Sequence, residues 1–270
     1  MIKKQQHEGK EMSFLDHLEE LRWHIIRSAI AIGVFMVVAF LSKSFIFDTL
    51  IFAPTHSDFA TYRLLCKLSE LLATDLLCIT NVEMTFINIE LAAQFLIHLK
   101  VSLILGFVAA FPYISWEIWR FIKPALYESE IRYSKGIVVF ISVMFLIGIA
   151  FGYYVLTPFS LNFFGNYTVT SDVTNSFTFT NYIGFLTMFV LSSGIIFELP
   201  VAVYFLSKLG LVTPSLMRTY RKHALVAILF VSAIITPADV GTQILVAVPV
   251  YFLYEISILI SAKVERSRDE

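Results

Sequence analysis

Charge is scarce in this 270-residue chain: Asp, Glu, Lys and Arg together supply 15% of it, against 57% hydrophobic residues. With a mean hydropathy of +0.76, an ordinary soluble globular domain is excluded. The net charge of -1 excludes a global field that would recruit nucleic acid. Two cysteines, Cys66 and Cys78, are too few for a disulfide framework or a metal cluster. The six histidines stand singly, so their spacing offers no metal site. P-loop, dinucleotide-binding glycine, HExxH and GxSxG patterns are all missing, so ATP use, nucleotide binding and hydrolase chemistry lack their parts. Neither enzymatic activity nor a cofactor is expected. The first apolar run begins only near residue 25, behind a charged start, so no cleavable signal is expected.

What is present is length without charge. A bilayer core of about 30 Å needs about 20 mostly apolar residues per helix. Six such runs lie near residues 24–43, 95–115, 136–157, 183–207, 223–236 and 243–262. The fifth and sixth are short and joined by the tight turn "ITPADVGTQ", 235–243, so this pair is expected to form a hairpin that does not cross fully. Pro112, Pro200 and Pro249 fall within spans, and their missing donors favour kinks. The expected fold is therefore an all-α integral membrane protein of six kinked spans in a concave arrangement.

Lys and Arg set the orientation. They cluster before the first span (Lys3, Lys4, Lys10, Arg22, Arg27), between the second and third (Arg120, Lys123, Arg132, Lys135), between the fourth and fifth (Lys208, Arg218, Arg221, Lys222) and after the last (Lys263, Arg266, Arg268). Only Lys43, Arg63, Lys67 and Lys100 fall on the other side, and the 158–181 loop has neither residue. Both termini are expected to be cytoplasmic. The organisation is a tail at 1–12, a membrane domain at 13–262 with a long exported-side loop at about 44–94, and a second tail at 263–270.

In "SFLDHLEELRWHIIRSAIAIGVFMVVAF", 13–40, Ser13 and Asp16 suit a helix start. Phe14, Leu18, Leu21 and Ile25 recur at helical spacing, which predicts a short amphipathic segment at the interface before the span turns in. Asp16, Glu20 and Arg27 share the other side. Their plain reading is a solvated face with internal pairs such as Glu20 to His24. The stretch "FPYISWEIWRFIKPALYESEIRYSK", 111–135, adds aromatic anchors, Pro124 and the acids Glu128 and Glu130.

Taken with "HLEELR" (17–22), "FAP" (52–54), "FELPVAVYFL" (197–206), "ITPADVGTQ" and "LVAVPVYFLYEI" (245–256), this stretch resembles the TatC family, the six-span core component of the twin-arginine protein translocase. The resemblance runs from about residue 13 to 262. It implies a receptor for twin-arginine signal peptides and a scaffold that exports folded proteins across the bacterial inner membrane on an ion gradient. The implied partners are single-span TatA/TatB-type subunits, further copies in a receptor complex, and membrane lipid. Residue by residue, it assigns signal recognition to Glu20 and Arg22 in "HLEELR" and to Phe121 and Glu130 in "WRFIKPALYESE", with Glu128 ranked lower. It assigns a buried acid to Glu198, an exported-side proline to Pro54, and polar positions to Thr236, Asp239 and Gln243. The first exported-side loop is longer than the family's. Its extra segment carries a stripe of Leu64, Leu68, Leu71 and Leu72.

Such a receptor makes chemical sense of carboxylates at a membrane threshold. Two adjacent arginines offer two planar guanidinium forks, each able to give a carboxylate two parallel hydrogen bonds, which lysine cannot do. Glu20 and Glu130, if they converge, form a divalent anionic site, with Leu21 and Phe121 receiving apolar flanks. Glu198 within a span costs about 2.5 kcal/mol or more if charged at the bilayer centre. It either lines a polar, water-admitting groove or makes a structural hydrogen bond; Glu255 shares that ambiguity. A second reading, a proton-coupled small-solute transporter with Glu198 as coupling acid, predicts an internal repeat, and none is found between the halves. Cys66 and Cys78 either form a bridge or remain two free thiols; twelve residues along one straight helix would hold them too far apart to join.

Overall fold

The computed structural model describes residues 14–72, 78, 85–123, 136–170, 175–236 and 240–269, with side chains from residue 17 to 266. Helix α1, Phe14–Leu41, is continuous. The interfacial segment expected to precede the first span is therefore its first turns, because no proline interrupts a run rich in the helix formers Leu, Glu and Arg. The chain then tightens into a π-helical turn at Phe45–Ile51 and a 3-10 turn at Ala53–Thr55. Helix α2 follows at Ala60–Leu71, then strand β1 at Phe86–Ile87 and helix α3 at Ala93–Ile122.

The next span combines helix α4 (Ile137–Phe151), a π-helical turn (Gly152–Leu156) and helix α5 (Thr157–Asn166). Strand β2, Phe177–Thr178, leads into α6 (Phe179–Ile196), whose first turn is capped by the Thr178 hydroxyl accepting from the Asn181 amide at 3.3 Å. After a break come α7 (Leu199–Lys208), α8 (Pro214–Thr219), α9 (Arg221–Ile235) and α10 (Val240–Asp269).

Among the described residues, five stretches are long and apolar enough to cross a membrane: His17–Leu41, Ala93–Ile122, Ile137–Asn166, Phe179–Lys208 and Val240–Arg266. Helix α9, with 15 residues, extends about 22 Å at 1.5 Å per residue, short of a full crossing as the sequence predicts. The last helix is longer than predicted. At 30 residues it runs through Pro249 and on into the expected tail, held by buried Val264 and by the Ser207 hydroxyl donating to Ser261 at 2.8 Å.

Helix α1 packs along α3, α3 against α4, α4 against α6, and α10 against α7 and α9. Among the described residues no extensive packing joins α1 to α9 or α10, so the neighbours form an open series. The α1–α3 contact is close at Gly106, where a methyl would lie 2.7 Å from the Met36 backbone nitrogen. The outer faces, such as Val34, Val37 and Val38, are apolar and exposed. Such faces suit lipid, because each helix satisfies its own backbone.

The end where α1 finishes, the upper end, is tied by tyrosine hydroxyls. Tyr62 donates to the carbonyls of Pro54 (3.0 Å) and Pro158 (3.4 Å), Tyr153 to Leu50 (2.6 Å) and Tyr182 to Ile51 (2.5 Å). Strands β1 and β2 pair in parallel, Phe86 with Phe177. Cys66 and Cys78 are joined by a disulfide, with Cα atoms 4.2 Å apart. Helix α2 ends before Cys78, which removes the straight-helix obstacle. The leucine stripe of α2 faces outward, with Leu64, Leu68, Leu71 and Leu72 all exposed.

Candidate functional site

The lower end, where α1 begins and α3 finishes, brings Glu20, His24, Arg27, Glu117 and Arg120 together. His17 stacks on Phe121 at 4.3 Å between ring centroids, and the same ring meets His24 edge-on at 6.0 Å. Glu20 and Leu21 are half-buried beside this contact and Arg22 is exposed. Helical spacing explains the grouping, since His17, Glu20 and His24 recur three and four residues apart on one face. A half-buried carboxylate beside an aromatic face can accept a guanidinium fork and shelter its apolar flank.

Beneath this lies a carboxylate that the sequence reading missed. Glu117 on α3 is fully buried. One oxygen accepts from the Tyr113 hydroxyl at 2.8 Å and faces Arg120 at 3.5 Å. The other is hydrogen-bonded to His24 Nδ1 and faces Arg27 at 3.9 Å. Arg120 also lies 4.8 Å over the Trp116 ring. A buried ion is tolerable only when paired and hydrogen-bonded, and Glu117 meets both conditions. Its signal in the sequence was an acid set between two tryptophans in "SWEIWRF" with an arginine three residues on.

Other candidates lie elsewhere. Glu128, Glu130 and Pro124, and Asp239 in the hairpin turn, fall outside the described residues. Glu198 sits at the break between α6 and α7, one residue before α7 starts and two before buried Pro200, and its Oε1 is buried without a hydrogen-bond partner. Helix α4 crosses close by, for a methyl on Gly148 would lie 2.8 Å from the Phe197 Cβ. Thr236 is buried and its hydroxyl returns to the Ser232 carbonyl at 2.9 Å. Gln243 donates to the Leu229 carbonyl at 3.0 Å, stitching α10 to α9. Glu255 holds Arg221 at 2.6 Å and accepts from Tyr251 at 3.2 Å. Pro54 is fully buried in the upper cap. Among the described residues no group of three or more His, Cys, Asp or Glu could hold a metal ion.

An open row of apolar helices with a polar cluster at one end defines a multi-pass membrane protein. The family model described as Sec-independent protein translocase protein (TatC) matches residues 16–249. A Blattabacterium TatC from the strain BPLAN is 37% identical over 265 residues, covering 97% of this chain and 99% of its own. Helicobacter pylori TatC is 41% identical over 181 residues, 67% of this chain and 71% of its own. A crystal structure described as the twin arginine translocase receptor TatC in DDM superposes with a TM-score of 0.72 at 31% identity, covering 91% of this chain and 99% of the other. The chain belongs to the TatC family and is a component of the Sec-independent protein translocase. These relatives give the transporter reading no support.

Proposed function

We propose that this chain is the signal-peptide receptor and core scaffold of a twin-arginine translocase in a bacterial inner membrane, exporting folded proteins on the proton motive force. Its lower end faces the cytoplasm, as do both termini, in keeping with the Lys and Arg bias. Glu20 and Glu130 receive the arginine pair, while Leu21, Arg22 and Phe121 frame it. Single-span TatA/TatB-type subunits and further copies of the chain complete the complex. Glu198 lines a polar region of the transport path.

The observation that carries this reading is the packing of His17 on Phe121, which supports a shared site for the "HLEELR" face and the end of α3. The hairpin supports a partner contact of a particular kind. Thr236 and Gln243 already spend donors inside it, so a partner helix would meet their acceptor oxygens with a donor of its own.

The test places a photo-crosslinker at Leu21 or Phe121, and separately at Val240, in inner-membrane vesicles. Signal peptide should label from the first two and a single-span subunit from the third. Replacing Thr236 and Gln243 together by Val should weaken only the subunit crosslink. Signal labelling confined to Val240 would refute the assignment.

A further inference from the structure

Glu117 and His24 are a buried ionisable pair that the proposed function leaves unused, and His24 also neighbours Glu20. Glu117 accepts at both oxygens, from Tyr113 on one and His24 Nδ1 on the other. An ionised carboxylate only accepts, so Nδ1 carries the proton, and in a neutral imidazole this leaves Nε2 as an acceptor. That Nε2 lies 3.9 Å from Glu20 Oε1. The separation is too long for a hydrogen bond between them. It suits two acceptors sharing one donor, because a nitrogen about 2.9 Å from each closes the triangle.

We infer that His24, held in this tautomer by Glu117, is a specificity residue for the arginine pair, its Nε2 and Glu20 Oε1 forming a two-acceptor notch for one guanidinium nitrogen. The inference rests on the proposed role of Glu20. Glu117 is a positioning residue, since it acts through His24. Its charge is matched within the cluster by Arg27 and Arg120, so Glu20 remains the carboxylate free to take an outside cation. A lysine ammonium could also enter the notch, but an arginine keeps its remaining N–H groups aimed at further acceptors in one plane.

The notch carries a proton dependence. The described groups that face His24 are Glu20 on its own helix, and Glu117 and the Phe121 ring on α3. Behind them, Arg27, Arg120 and Tyr113 face Glu117 and His17 stacks on Phe121. Protonation turns Nε2 from acceptor into donor, pairs it with Glu20, and closes the notch to an incoming guanidinium.

The experiment measures binding of a fluorescent peptide with two adjacent arginines to the full chain in nanodiscs at about pH 8. Comparison is made among the wild type, Glu20→Gln, His24→Asn and His24→Gln. Asn keeps a group at the Nδ1 position and loses the Nε2 position, whereas Gln reaches the Nε2 position with an acceptor oxygen. His24→Asn should lose roughly 2- to 12-fold at about pH 8, the worth of one hydrogen bond. His24→Gln should bind near wild type there. Equal binding by the Asn and Gln variants overturns the inference. Matched unfolding midpoints of the Asn and Gln variants show that both fold. Undiminished binding by Glu20→Gln would refute the receptor site itself, a different failure.

Discussion

His24 of α1 and Glu117 of α3 are hydrogen-bonded to each other across 93 residues of chain. The bond fastens the lower ends of the two helices, as Gly106 fastens their middles. Because Glu117 is fully buried, its loss strands several partners at once.

Replacing Glu117 by Ala leaves His24 and Tyr113 without their acceptor and Arg27 and Arg120 without a buried counter-charge. Breaking a buried pair from one side costs about 3 to 5 kcal/mol, so thermal unfolding in detergent should occur well below the wild-type temperature. Glu117→Gln keeps the shape and should lie between the two. An unchanged midpoint for the Ala variant would show that the cluster does not hold α1 to α3.

The α4–α6 crossing is equally intolerant. A methyl on Gly148 would lie 2.5 Å from the Ser193 carbonyl oxygen and 2.8 Å from the Gly194 Cα. Both obstacles involve backbone, which cannot swing aside. Gly148→Ala should cost about 1 to 3 kcal/mol, the usual range for overpacking, seen as a lower unfolding midpoint. Gly33, with open space around it, should accept Ala without that loss.

Much of this was legible in the sequence, for a physical reason. Span positions follow from apolar length, so the first, second and fourth spans were found with some limits within one or two residues and others displaced by one to two helical turns. The limits moved because Ser, His and Glu at helix ends remain helical once they pack, as in α1 and at the end of α10. Glu20 and Phe121 stood out by motif. Glu117 did not, since its meaning lies in contacts with His24 and Arg27, which sequence spacing within α3 cannot reveal. The tyrosine ties of the upper end were hidden likewise, because each hydroxyl meets a backbone carbonyl that any residue could supply.

The bridge between Cys66 and Cys78 closes a separation of 12 residues. Chain-entropy estimates for loops near this length are about 3 kcal/mol. Replacing both by Ser should make the 44–94 segment easier to cleave with added protease and lower the unfolding midpoint, while export continues, because the bridge lies at the upper end, away from the proposed signal site. Lost export at matched protein levels would give this segment a role in transport.

Tyr62 should mark the alkaline limit of the cap. Burial pushes its phenol well above the ordinary range. In the unfolded chain it ionises near its ordinary value of about 10. The unfolded state therefore loses its proton first, and the stability Tyr62 contributes is present below that pH and falls above it. Tyr62→Phe should lose about 1 kcal/mol at neutral pH, from the missing bond to Pro54, yet decline less than wild type above about pH 10. Parallel declines would contradict the assignment.

The central claim is that a carboxylate at Glu20 selects arginine pairs. Its most direct test is the affinity of the full chain for a signal peptide with two adjacent arginines and for its two-lysine counterpart, in wild type, Glu20→Gln and Glu130→Gln. Each Gln variant should bind the arginine peptide roughly 10- to 150-fold more weakly, corresponding to about 1.5 to 3 kcal/mol for hydrogen bonds to a charged partner, and the preference over lysine should shrink with it. Unchanged affinity and unchanged preference in both variants would contradict the account.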